Sequence, residues 1–167
     1  MLRYLLIFIL GLNLVACGNS GEANINDISD MEDSLETLSR GTMGSPVMLP
    51  SENNGEVIIT DQERFSELWK QMHQGIGNDY DEAPEIDFSN FMVVGVFMGE
   101  MPSSGYSIRI NEVAADDESL KVHVSRTEPG PNCMNLTVIT YPHHIVKIPA
   151  TDKSVEFEYS TFVEDCE

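Results

Sequence analysis

Basic residues are scarce in this 167-residue chain: nine Lys and Arg stand against 28 Asp and Glu, a formal net charge of −19 at pH 7. Such a field repels nucleic acid and anionic lipid headgroups, and it favours basic partners or divalent cations. Cysteine is nearly absent, with three in all and no Cys-x-x-Cys pair. His-x-x-x-His and EF-hand spacings are missing too, so neither a metal site nor a cofactor is expected. There is no nucleophile-elbow motif for a serine hydrolase. Long apolar runs are also lacking. The longest, Tyr4 to Leu12, falls short of the roughly 20 residues needed to cross a bilayer.

That run follows a basic residue, Arg3, which is the layout of a secretion signal over residues 1–16. Leu14-Val15-Ala16-Cys17 then resembles the bacterial lipobox, whose cysteine becomes the acylated N-terminus. The expectation is a lipoprotein of the bacterial cell envelope, periplasmic or surface-exposed, held to the membrane through Cys17. The competing reading is an ordinary secreted protein with a chance cysteine at that place. One acyl chain alone anchors weakly, whereas several on one cysteine anchor firmly. Loss of Arg3 with the signal would leave 28 acidic groups facing eight basic ones.

Residues 17–45 read as an acidic flexible tether. Glu22, Asp27, Asp30, Glu32, Asp33 and Glu36 precede the first basic residue, Arg40, and aromatics are absent. So little apolar surface cannot offset the entropy of ordering. The folded domain is expected over 46–160, followed by a tail at 161–167. It opens with a strand, Glu56 to Ile59. Thr60-Asp61-Gln62-Glu63 reads as a capping box. Phe65, Leu68, Trp69 and Met72 follow at i, i+3, i+4 and i+7, giving a helix with one apolar face that ends near His73. On that stripe Trp69 reads as a core residue rather than a ligand platform.

Beyond residue 90 the period changes. Met92 to Met98 is continuously apolar, as a central strand covered on both faces would be. Tyr106, Ile108 and Ile110 alternate with polar residues, as do Leu120, Val122 and Val124, and then Val155, Phe157 and Tyr159. Asp116-Asp117-Glu118 marks a hairpin turn, and Ile145 to Ile148 adds a strand ended by Pro149. Short strands with turn signals between them indicate a mainly β domain: an antiparallel sandwich or open barrel with one packed N-terminal helix.

Three loops stand out. Pro102, Ser103, Ser104, Gly105 and Tyr106 form the first, Pro129 and Gly130 lie in the second, and Tyr141 and His143 in the third. Proline and glycine make such turns rigid, and rigid loops lose little entropy on binding a partner. These nine residues are the expected protein-binding positions. Cys133 and Cys166 either close a disulfide, as an oxidising compartment allows, or stay as a buried thiol and a frayed end. Cys133 beside His143 or His144 is the remaining catalytic arrangement, although neighbouring residues on a strand point to opposite faces.

From Val57 to Tyr159 the order of features resembles the PrcB family, whose namesake is a lipoprotein subunit of a spirochaete surface protease complex. The resemblance rests on Ile86-Asp87-Phe88, the Ser104-Gly105-Tyr106 core, Pro129 to Cys133, Tyr141 to Val146, Ile148-Pro149 and Val155-Glu156-Phe157. It implies a non-catalytic accessory subunit whose partner is a protein, most simply a secreted protease. A second resemblance is local. Pro102 to Tyr106 is similar to the Asn-Pro-Thr-Thr-Gly loop of chagasin-type cysteine-protease inhibitors, with Met101 in place of asparagine. That family lacks the helix expected here and carries an Arg-Pro-Trp motif this chain does not have. It implies protease inhibition as the alternative.

Overall fold

The computed structural model describes residues 35–42, 55–74 and 82–166. The signal, Cys17 and most of the tether lie outside them. The described elements are β1 (Glu36–Gly41), β2 (Glu56–Ile59), α1 (Gln62–His73), β3 (Phe91–Phe97), β4 (Ser107–Ala115), β5 (Ser119–Pro129), β6 (His143–Pro149) and β7 (Ser154–Glu164). They form two sheets, one of order β1-β6-β3-β2 and one of order β4-β5-β7. The expected mainly β sandwich with one helix is what the described residues build.

Alternation along β3 explains the layering. Met92, Val94 and Val96 join Val146 and Ile148 of β6 in a core against Ile108, Ile110, Leu120, Val122 and Val124 of the second sheet. Val93 and Phe97, with Ile145, face the other way, onto Phe65, Leu68 and Met72 of α1. A strand buried on both faces has no polar positions to spare, hence the continuous apolar run. Trp69 only borders the helix-side core. The helix is capped one residue later than the capping box suggests: Asp61, not Thr60, accepts from Arg64 N–H at 2.9 Å.

Three expectations need correction. Residues 36–41, assigned to the tether by composition, form β1 and pair antiparallel with β6. None of their side chains is fully buried, so the strand is held by backbone pairing, by Leu38 against the helix-side core, by the Glu36–Lys147 ion pair, and by Thr37 and Ser39, whose hydroxyls meet His144 and His143. Residues 161–164, assigned to the tail, complete β7. The sandwich is also not antiparallel throughout, because β5 and β7 run parallel. A parallel pair needs a long crossover, and this one passes through β6 in the facing sheet.

Candidate functional site

The strands deliver all three rigid loops to one end of the sandwich. β3 leads into the first loop, β5 ends at the second, and the third feeds β6. The segment between the second and third loops binds them together. Met101 bridges Thr140, Ser104 N–H donates to Leu136 O at 3.0 Å, and Leu136 N–H donates to Ser104 Oγ at 2.9 Å. Thr140 Oγ1 donates to Ser103 O at 3.0 Å. At Gly105, φ is +95° and an added Cβ would lie 2.5 Å from Asn135 Oδ1, so only glycine fits this crossing. Gly130 is as tightly placed, since a Cβ there would approach Glu164 O to 2.3 Å.

Cys133 and Cys166 form a disulfide, with Cα atoms 4.9 Å apart. It ties the start of the 134–140 segment to the chain just past β7. A bonded sulfur is no thiolate nucleophile, so the Cys133–histidine arrangement has lost its reactive group. Among the described residues, no three His, Cys, Asp or Glu side chains gather to hold a metal.

The nine expected positions fare unequally. Pro102 is exposed, whereas Ser103, Ser104, Gly105, Tyr106, Pro129 and Tyr141 are half-buried and Gly130 is buried. Ser103 and Ser104 act as fasteners for the neighbouring segment rather than as a free rim. The Tyr141 hydroxyl donates to Glu100 Oε2 at 3.1 Å, and desolvation followed by this bond raises the phenol above its ordinary pKa. His143 is the clear correction. It is only 7 % exposed and lies against Phe97, with ring centroids 6.2 Å apart. Its Nδ1–H donates to Tyr141 O, and its Nε2 takes the Ser39 hydroxyl. Burial lowers its pKa. It braces the third loop from beneath and offers nothing to a partner.

The exposed surface lies where the sequence drew no attention. Met134 is fully solvent-exposed, Leu136 is 74 % exposed and Ile139 54 %, with Val138 beside them. Phe162 and Val163 at the end of β7 are exposed as well. Scattered exposed apolar residues need no explanation, but several brought together on one rim mark a contact surface. Alternation at Met134, Leu136 and Val138 was the available signal. It reads as one more half-buried strand, because nothing local says that the segment lacks a sheet to cover it.

Beside this rim a cleft of about 460 Å³ opens between Phe97, Met98 and Met101 on one side and Arg126, Glu128 and Tyr159 on the other. The Arg126 guanidinium sits 4.1 Å above the Tyr159 ring, whose hydroxyl donates to Glu56 Oε1 at 2.8 Å. Burial and the Glu56 bond push the Tyr159 pKa far up, so the phenol stays protonated and links β7 to β2.

Residues 92–149 match the family model described as PrcB C-terminal. The match spans β3 to β6 and both loops that flank the exposed segment, a narrower stretch than the resemblance from Val57 to Tyr159. No curated protein and no solved structure matches the chain.

Proposed function

We propose, from the match of residues 92–149 to the PrcB C-terminal family model, that this chain is a lipid-anchored, non-catalytic accessory subunit of a secreted protease. The observation that carries the reading is the apolar rim of Met134, Leu136, Val138 and Ile139, exposed inside the family-matched segment and fastened by Ser104 and the disulfide. A surface so fixed is preorganised, which lowers the entropy lost on docking. Cys17 supplies the anchor, in the bacterial cell envelope.

The experiment is recovery of the tagged full chain from its own bacterium, with identification of what accompanies it. A secreted protease should co-purify. Leu136→Asp with Ile139→Asp should cut its recovery at least tenfold and leave melting unchanged, since both side chains are in solvent and a desolvated charge opposes docking. Absence of a protease, or full recovery by the variant, would overturn the reading. Inhibition of papain-like or subtilisin-like proteases by the purified chain would instead favour the inhibitor alternative. The anchor has its own check. Cys17→Ser should abolish labelling by palmitate and move the protein out of the detergent phase; persistent labelling would remove lipidation from the proposal.

A further inference from the structure

Four strands end the two described sheets: β1 and β2 in one, β4 and β7 in the other. Natural proteins protect such edges with short strands, bulges, proline or coverage, because unpaired N–H and C=O groups recruit other strands. Three of the four are protected. β2 has four residues, and β1 has six with a break in register between Thr37 and Ser39. β4 is irregular between Ile110 and Glu112, and the Ile110 N–H is taken by His144 Nδ1 at 2.8 Å.

Among the described residues β7 has none of these devices, and only its glutamates guard it. It runs eleven residues without proline and pairs with β5 without interruption from Ser154 to Glu164. Which of its backbone groups are open follows from one bond. Glu164 O accepts from Gly130 N–H at 3.0 Å, on the β5 side. The N–H and C=O of one residue point to the same side of a strand, and the side alternates along the chain. Val155, Phe157, Tyr159, Thr161 and Val163 therefore turn their backbone groups to the open side, where no described strand meets them.

We propose that the open edge of β7 takes an extended, basic strand of the partner protein, extending the three-stranded sheet by one. Charge selects the occupant. Glu156, Glu158 and Glu164 share the outer face by alternation, and Glu158 already draws Lys121 and His123 of β5 to 3.8 and 3.3 Å. A second copy of this chain fits poorly: antiparallel pairing about Ser160 would set Glu156 directly opposite Glu164, and pairing about the midpoint Tyr159 would set Glu158 diagonal to its copy and Glu156 diagonal to Glu164, like charges on one face that oppose pairing. The acidic edge thus discourages self-assembly and leaves a lysine-bearing strand favoured. Phe162 and Val163 carry the edge into the apolar rim described above. The inference rests on the accessory-subunit reading only for whose strand arrives.

The test uses the full chain in detergent and a capped octapeptide alternating lysine and valine. The peptide should bind and slow hydrogen exchange at the Thr161 and Val163 amides at least tenfold, while a glutamate–valine peptide does neither. Thr161→Pro removes only an outward N–H, which an edge strand tolerates, and should weaken binding at least tenfold. Should that variant fail to fold, Glu156→Lys with Glu164→Lys leaves the backbone intact and should reverse the preference between the two peptides. The proposal falls if the lysine peptide does not bind, if folded Thr161→Pro binds it equally, or if charge reversal leaves the preference unchanged. It also falls if the Thr161 and Val163 amides are already protected in the free chain, whether by its own segments or by a dimer seen in sedimentation. Failure here, with protease recovery still lost in the Leu136 variant, would leave the accessory-subunit reading standing. The converse result would leave the edge and remove the protease.

Discussion

Replacing Phe65 with alanine should cost about 3–5 kcal/mol, the usual range for a buried aromatic. Its side chain is 0 % exposed, at the centre of the cluster that joins α1 to the first sheet. The ring lies 5.6 Å from that of Trp69 and 6.4 Å from that of Phe88, so truncation would open a void lined by groups that cannot all close on it. A twelve-residue helix is marginal by itself and depends on this packing. Part of the far-ultraviolet helical signal should therefore soften before the global transition. Trp69→Ala should cost less, about 1–2 kcal/mol, because its indole is only partly removed from water. Urea melts of the two variants give the ranking directly. A Trp69 loss equal to or above that of Phe65 would mean that the helix presents a different face to β3 and β6. The consequence reaches the rim, since β3 ends at Phe97, where the first loop begins, and β6 starts at His143, where the third ends.

The helix and the central strand were legible because their signals are local. The i, i+3, i+4, i+7 spacing of Phe65 to Met72 and the unbroken run Met92 to Met98 can each arise from few structures. What escaped was fixed at a distance. β1 has a tether's composition, and it becomes a strand only because β6 offers an edge and two histidines await Thr37 and Ser39. The parallel pairing of β7 depends on a crossover through the other sheet, and periodicity is blind to strand direction. The three loops were legible as rigid turns from their proline and glycine. Their relation to Met134–Ile139 was not, because hydrogen bonds such as Leu136 to Ser104 span 32 residues. His143 looked like a loop imidazole, and two residues' difference in where β6 begins made it a buried one.

Between pH 6.5 and 4 the protein should lose about 3 kcal/mol of stability through His144 alone. His144 points from β6 into the core between the sheets and is 2 % exposed. Its Nδ1 takes the Ile110 N–H, a group that can only donate, so the ring proton sits on Nε2 and is given to Thr37 Oγ1 at 3.0 Å. A second proton would set Nδ1–H against Ile110 N–H, donor facing donor, inside a desolvated site. Burial first, then the positive charges of Arg40 and Arg109 and the neighbouring His143, lower its pKa to about 4. The unfolded chain, with an ordinary imidazole near 6.5, binds that proton more readily. The contribution is therefore complete above pH 6.5 and disappears as the pH falls through 4. Fewer ionised carboxylates over the same window relieve repulsion in so acidic a chain, an effect of opposite sign. Comparison with His144→Gln cancels it, along with any contribution from His143. At pH 7 the variant should be less stable by about 2 kcal/mol, since Ile110 N–H and Thr37 lose their partner. That gap should narrow and then close as the pH approaches 4, because only the wild type must exclude a proton. Denaturant melts of both proteins at several pH values give the difference curve, and a gap that stays constant from pH 7 to 4 would show that His144 takes its second proton without disturbing the contact between β4 and β6.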